Sequence, residues 1–377
     1  MIDIEKKLDT IQFRLAEKTD ADACVEFHNL HWSRKINTKQ WLWQCFPFSI
    51  NQKFHFTVIA EINGKIIGTQ SIIPTKFIDS TGIYLTAKSE QTLLSKEVRG
   101  KGIFSKMYDL EFKHCLQNDI KCIWGYTQAG KAFEKIDFKI PFKSRQVWKG
   151  YISFPKIKFS NFKSALKSLF IYIKIIFTKI KKVLSLTSIN LNKKIEIKKL
   201  SSVPFNIEEL SKKFINQWGG ATIFRDKNFI SWRFLSNPYV NVNLFAAFYL
   251  EEILGYIAVS LPNHEGVCSI VDIITIDSIN SNISSKEVSI RLFKEAIDFC
   301  KKEKGIIITC WGDNNHQFGK EISEIYSLFG MSKFKMPTSV VHYVLPDFKS
   351  KNQKNLLSYE NYKDWYVSMA FMQGHSG

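Results

Sequence analysis

Residues 96 to 112, KEVRGKGIFSKMYDLEF, hold the residue types and spacing best suited to chemistry in this chain. Gly100 and Gly102 each cost the backbone more freedom than alanine would, so local propensity does not explain them. A loop of the form Arg-x-x-Gly that leaves a strand and enters a helix is a device for holding a pyrophosphate. Its glycines let backbone N–H groups converge on the anion, the helix N-terminus adds partial positive charge, and a basic side chain assists. Arg99-Gly100-Lys101-Gly102-Ile103-Phe104 supplies each part. The spacing fits neither GxxxxGK followed by Ser or Thr nor GxGxxG, which excludes the two commonest nucleotide loops.

Other reactive side chains form no comparable group. The seven cysteines (Cys24, Cys45, Cys115, Cys122, Cys268, Cys300, Cys310) are widely spaced without a CxxC, and read as reduced core residues of a cytoplasmic protein. The eight histidines show no ligand spacing, so no metal is expected. A formal net charge of +18 favours anionic partners such as a phosphorylated cofactor, a nucleotide, nucleic acid or an anionic membrane. The N-terminus, MIDIEKKLDTIQF, carries acids and no apolar core, unlike a secretory signal.

The elements that must position the loop can be read from periodicity. QFRLAEK alternates as a strand, DADACVEFHNLHW reads as a helix, and KQWLWQCFPF as a short helix ending near Pro47. KFHFTVIAEI and KIIGTQSIIPTKF are strands joined by Asn63-Gly64, a strong hairpin signal. IYLTAKSEQTLLS is the strand that runs into the loop, and a helix follows to about Asn118. IKCIWGYT is a buried strand, QAGKAFEKID a short helix, and FKSRQVWKGYI closes the half. At 377 residues the chain is long enough for two domains, and after about residue 200 the same grammar returns. KKIEIKKL is strand-like, two helices follow, NLFAAFYLEEILGYIAVSL is a hairpin around Glu251-Glu252, and CSIVDIITID is a strand. A long helix, GIIITCWG, a further helix and SVVHYVL complete a diverged repeat of one α/β mixed-sheet fold.

The connector differs from both halves. Between residues 151 and 200 twelve lysines meet one acid, Glu196. In a helix over 162–184 at about 100° per residue, Lys163, Lys167, Lys174 and Lys181 share one side and a broad apolar face opposes them. That is the pattern of a basic amphipathic helix, packed between domains or lying in a membrane interface. It is too lysine-punctuated to span a bilayer, and it lacks the interleaved arginines and aromatics of a nucleic-acid surface.

In this setting the loop resembles the acetyl-coenzyme A loop of the GNAT N-acetyltransferase superfamily, Gln/Arg-x-x-Gly-x-Gly/Ala. Arg99 and Gly102 match it, while Phe104 stands where the last small residue is usual. The RGKGIF form resembles tandem-domain bacterial members, and the resemblance covers about 11–155 with the motif and 195–346 by topology. It implies a catalytic GNAT domain over 1–155, the basic connector over 156–194, a degenerate GNAT-like domain over 195–346 and a tail over 347–377. It also implies acetyl-CoA as acyl donor, held in a splayed opening between the fourth and fifth strands. The backbone of Leu93, Leu94 and Ser95 would bind the pantetheine, residues Arg99, Gly100, Lys101, Gly102, Ile103 and Phe104 the phosphates, and Gln128 would stand after the fifth strand. The acceptor amine would attack the thioester directly, with proximity supplying much of the rate.

Within that resemblance Glu90, on the strand before the loop, is the candidate general base, with Glu61 in reserve. The tyrosine usual on the helix after the fifth strand is replaced by Phe133, which leaves Tyr126 or water to protonate the thiolate. The second half, with SINSNISSKE in place of a glycine loop, is expected not to bind coenzyme A but to help build an acceptor cleft. Trp41, Trp43, Trp232 and Arg233 are candidates to line that cleft, and NYKDWYVSMAFMQGHSG to dock back across the domains. The leading expectation is transfer to the amine of a nucleotide- or lipid-linked amino sugar in bacterial surface polysaccharide synthesis. The rivals are a Fem-type aminoacyltransferase using aminoacyl-tRNA and a non-catalytic tandem module bound to a membrane or partner. Polycationic aminoglycosides suit so basic a surface least.

Overall fold

A computed structural model describes residues 10–46, 56–153, 173, 194–279, 281–312, 315–346 and 358–371. The proposed connector helix over 162–184 lies outside the described residues except for position 173, as do 347–357 and 372–377 of the tail. Two compact units divide the chain: Met1–Ser144 with Pro337–Tyr362, and Arg145–Met336 with Lys363–Gly377.

The first unit opens with β1 (Gln12–Leu15), α1 (Ala21–His31) and α2 (Thr38–Cys45). A reciprocal capping box starts α2: the Gln40 N–H donates to Asn37 Oδ1 at 2.9 Å and the Asn37 N–H to Gln40 Oε1 at 3.0 Å. The hairpin β2 (Phe56–Ile62) and β3 (Lys65–Asp79) turns at Asn63 and Gly64, whose φ values of 50° and 74° match the right-handed twist of its strands. Then come β4 (Gly82–Leu94), α3 (Ile103–Gln117), β5 (Ile120–Thr127), α4 (Gly130–Glu134) and β6 (Lys139–Phe142).

In the second unit follow β7 (Arg145–Tyr151), β8 (Glu196–Leu200), α5 (Ile207–Trp218), β9 (Ala221–Ile223) and α6 (Lys227–Ile230), which runs into a π-helical turn at Ser231–Leu235. The hairpin β10 (Val242–Tyr249) and β11 (Glu252–Ser260) precedes β12 (Val267–Thr275), α7 (Ser285–Lys302), β13 (Ile307–Trp311), α8 (Gln317–Leu328) and β14 (Ser332–Met336). The chain then returns to the first unit as β15 (Ser339–Val344).

Both sheets carry one topology. The first has the order β1-β2-β3-β4-β5-β15-β6 and the second β8-β10-β11-β12-β13-β7-β14. Each is antiparallel throughout except at its centre, where β4 pairs with β5 and β12 with β13 in parallel. On one face of the first sheet Phe56, Ile72, Ala87, Ile123 and Val341 bury against Tyr108 and Cys115 of α3 and Phe133 of α4, each such side chain contributing about 1.5–3 kcal/mol. On the other face Cys45 of α2 meets Ser71.

Two strands depart from the order read in the sequence. FKSRQVWKGYI, expected to close the first half, is β7 from Arg145 on and pairs antiparallel with β13 and β14 of the second sheet, while β6, which ends at Phe142, stays in the first. SVVHYVL, expected to close the second half, is β15 and pairs with β5 from Ser339↔Thr127 to Val344↔Cys122. Alternation reports which face of a strand is buried and not which sheet receives it. β14, whose lysines alternate on an exposed strand, carried too little apolar signal to be read at all.

Candidate active site

The loop of the first unit stands at the mouth of a gap between two parallel strands. β4 and β5 pair only as far as Ser89↔Gly125. Beyond that, β4 follows β3 to Gly68↔Leu94 while β5 follows β15. A register shift between Thr69 and Ser71 bulges β4 and puts Gln91 at a φ of 53°, which re-aims the strand as it leaves its neighbour. The vertex is tight: a Cβ on Gly125 would lie 3.1 Å from the Ser89 carbonyl oxygen. Below it the Ser89 and Tyr108 hydroxyls sit 2.6 Å apart, both buried.

Past Leu94 a short 3-10 turn (Lys96–Val98) leads to Gly100 and Gly102, with φ values of 80° and 78°. Buried Val98 and Ile103 anchor the loop at both ends. Gly102 caps α3 without a side chain, and the first helical bond runs from the Lys106 N–H to the Gly102 carbonyl at 3.1 Å. The amides of Ile103, Phe104 and Ser105 therefore make no hydrogen bond among the described residues, as expected of an uncapped helix N-terminus. No atom lies within 4 Å of where a Cβ would stand on Gly100 or Gly102, so it is their left-handed backbone and not crowding that calls for glycine. Unbonded donors and a helix dipole are the features that an anion cradle uses.

The side chains around the cradle have distinct tasks. Arg99 folds back and donates through Nε and Nη2 to the Leu94 carbonyl at 3.2 and 3.0 Å, pinning the loop to the end of β4. Phe104 turns into the core against Tyr108 and Phe133, with centroids 4.9 and 5.2 Å away. That is how the loop accommodates a large residue at the third glycine-like position. Of the three residues expected to bind pantetheine, Ser95 gives its N–H to the Ile67 carbonyl at 2.9 Å and so faces β3. By ladder alternation Leu93 faces β3 as well, and Leu94 alone turns its N–H to the opening. Gln128 is exposed in the turn before α4, where the Ala129 N–H donates to Thr127 Oγ1 at 2.9 Å.

Glu90 and Tyr126 flank the opening on one sheet face, two residues beyond the paired Lys88 and Trp124. Glu90, one-fifth exposed, forms an ion pair with Lys88, whose side chain is buried. Its neighbours on that face are polar: Thr57 and Ser71 hydroxyls lie 2.9 Å apart, and Cys45 Sγ is 3.4 Å from Ser71 Oγ. Burial pushes the Cys45 thiol up to about 12, so it is no nucleophile at neutral pH. The Tyr126 hydroxyl is 3.0 Å from that of Tyr362.

Several expected site residues lie elsewhere. Glu61 is held by Arg14 at 3.2 Å, on a strand separated from β4 by β3, so it is not at the opening. Trp41 in the first unit and Trp232 and Arg233 in the second are buried, Arg233 by donating to the carbonyls of Ala370 and Met369; they are core residues, not cleft walls. Trp43 is half-buried. Conversely, Lys88, the Gln91 bulge with its hydrogen bond to Gln44 at 3.0 Å, and Tyr108 are at the site without having been singled out. The signal for Lys88 and Gln91 was the polar run AKSEQT inside an otherwise apolar strand.

No protein-family model matches the sequence, and no curated protein matches it. Solved structures do. A GCN5-related N-acetyltransferase from Anabaena variabilis aligns with a TM-score of 0.59 at 10% identity, over 89% of this chain and 73% of that one. A conserved Enterococcus faecalis protein of unknown function, described as a probable N-acyltransferase, gives 0.58, with the same identity and coverage. The Saccharomyces cerevisiae N-myristoyltransferase with bound myristoyl-CoA gives 0.57 at 10% identity, over 89% of this chain and 83% of that one. The chain thus has a GNAT-type fold, and the similarity extends over both units.

Proposed function

We propose that the first unit is an acyl-CoA-dependent N-acyltransferase that moves an acetyl group to a primary amine. The observation that carries this reading is the set of unbonded amides at the start of α3, which follows β4 where that strand has parted from β5. Bound there, acetyl-CoA would supply an activated acyl group. The amides of Ile103, Phe104 and Ser105 would hold its pyrophosphate, helped by Lys101, and the Leu94 N–H would hold the pantetheine arm.

Glu90 takes the proton from the acceptor ammonium, directly or through water, and Lys88 beside it fixes the carboxylate. Tyr126, on the same face, is the candidate to protonate the departing thiolate. Phe133 of α4 is packed in the aromatic core and offers no hydroxyl. The acceptor we favour is an amino sugar carrying a nucleotide or lipid diphosphate, because a chain of net charge +18 attracts anions and repels polycations. A lipid-linked acceptor would bring the chain to a membrane surface; no described helix is long and apolar enough to cross one. Loss of the α4 hydroxyl also suits a second reading, a module that binds coenzyme A without turnover.

The test is calorimetric titration of acetyl-CoA into the wild type and an Arg99→Glu, Gly102→Asp double variant at fixed salt. A thiol-release screen with nucleotide amino sugars follows. Micromolar binding lost in the variant, with acceptor-dependent thiol release, is expected. Binding without release from any amine supports the second reading, and no binding to the wild type rejects both.

A further inference from the structure

The opening between β12 and β13 in the second unit repeats the construction of the first and reverses its contents. Pairing with β13 stops at Ser269↔Thr309, and a register shift between Ala258 and Val259 bulges β12, which continues along β11 to Thr275. The Ile276 N–H donates toward β11, to the Leu254 carbonyl at 2.9 Å, so alternation turns the carbonyls of Ile273 and Thr275 toward the opening. Both already have donors. The Tyr366 hydroxyl reaches Ile273 at 2.6 Å and Trp218 Nε1 reaches Thr275 at 3.1 Å.

Those rings cover this edge of β12. Tyr366 packs on Phe318 of α8 at 4.9 Å and Phe214 of α5 at 5.4 Å, and Trp218 packs on Phe318 at 5.2 Å. Every residue from Trp365 to Phe371 is buried. Backbone bonds hold the segment: the Tyr366 N–H to the Ala221 carbonyl at 2.9 Å, Thr222 Oγ1 to the Tyr366 carbonyl at 2.9 Å, and Arg233 to the carbonyls of Met369 and Ala370 at 3.1 Å each. Beneath it Arg225 grips Asp272 through two bonds of 2.7 and 3.0 Å, with Tyr256 on the same carboxylate.

The start of α7 is equally closed. Where α3 presents bare amides, Ser284 caps α7 by accepting from the Glu287 N–H, and Asp277 Oδ1 accepts from the Ser285 N–H at 2.7 Å. That carboxylate would repel a pyrophosphate.

We propose that the β12–β13 opening is a peptide-binding site whose ligand is the chain's own segment Trp365–Phe371, seated in place of an acyl-CoA. The chain accordingly takes up one acyl-CoA and not two, a stoichiometry that rests on the reading of the first unit, whereas the peptide site does not.

The experiment compares the full chain with one ended after Asp364. A fluorescein-labelled peptide of residues 363–377 is titrated into both and followed by anisotropy. Saturable binding to the shortened chain and none to the full chain is expected. The melting temperature of the shortened chain should fall by more than about 10 °C and recover with saturating peptide, while a Tyr366→Ala peptide should bind at least about tenfold more weakly. A shortened chain that melts with the full one, or that ignores the peptide, overturns the proposal. Should the shortened chain not fold, the full-length Tyr366→Ala variant decides. Trypsin should cut it after Lys363 faster than the wild type, and equal rates overturn the proposal. Equilibrium dialysis with acetyl-CoA adds the stoichiometry: one per full chain, lost in Gly102→Asp, is expected, and two overturn the proposal. No uptake at all rejects the reading of the first unit and leaves the peptide titration to judge the second.

Discussion

Replacing Gly102 by alanine separates backbone conformation from contact. Gly102 sits at φ 78° and ψ −2°, in the left-handed region, and no atom lies within 4 Å of the position its Cβ would take. The substitution therefore adds no clash. Its cost is that of holding an L-residue at positive φ, about 1–2 kcal/mol. If the free loop keeps its shape, this cost lowers stability, by about 2–4 °C in melting temperature per kcal/mol. If the free loop relaxes, the cost falls on binding and weakens acetyl-CoA by roughly 5- to 30-fold. Calorimetry and thermal melts on the same samples should show losses that together account for those 1–2 kcal/mol. Acetylpantetheine, which lacks the pyrophosphate, should bind and react with both proteins alike. Unchanged melting together with unchanged acetyl-CoA affinity would refute the cradle, and so would an equal loss for acetylpantetheine.

Three further outcomes follow from named contacts. Glu90→Gln keeps an oxygen for Lys88 but cannot accept a proton, so turnover should fall by about 10²–10⁴-fold with acetyl-CoA affinity unchanged, checked by thiol release and calorimetry. Tyr108→Phe removes the hydroxyl 2.6 Å from Ser89 and should cost about 1–2 kcal/mol, read as a lower denaturation midpoint at an unchanged slope. Glu111 of α3 is fully buried with neither oxygen hydrogen-bonded among the described residues, and burial holds its carboxyl well above the usual range. Because the folded form keeps its proton while the unfolded chain releases it above the ordinary glutamate value of 4.5, stability falls as pH rises from there. Glu111→Gln should thus melt higher than the wild type at pH 7 and match it near pH 4.

How far the site was legible follows from what each signal encodes. Gly100 and Gly102 were legible because a left-handed backbone leaves few residues to choose from. The strand before them and the helix after were legible because period and length agreed. The Gln91 bulge was not, since it depends on one residue of β3 facing two of β4, a count that only the pairing reveals. Ser95 was misplaced for the same reason. A strand residue shows its side-chain face through alternation, but the direction of its N–H is set by which neighbour it pairs with. Glu61, the reserve to Glu90, is set aside only by the pairing, which gives it to Arg14 on β2 and gives Glu90 to Lys88 on β4.

The tail shows a different limit. DWYVSMAF reads as an apolar, aromatic run with no period to name its element, because its conformation is dictated by the groove that receives it. Its burial is in the second unit, with Tyr366 on an edge carbonyl and Arg233 on two of its own carbonyls. An exposed strand edge carries polar groups that must find partners. In the first unit Arg99 takes the Leu94 carbonyl while the α3 amides of Ile103–Ser105 stay unbonded among the described residues, whereas in the second Tyr366 and Trp218 take the β12 carbonyls and Ser284 and Asp277 the first amides of α7. A missing glycine loop in SINSNISSKE could say only that a cofactor is not held there. What stands in its place is decided by the pairing of hydrogen bonds, which differs between two sheets of identical strand order.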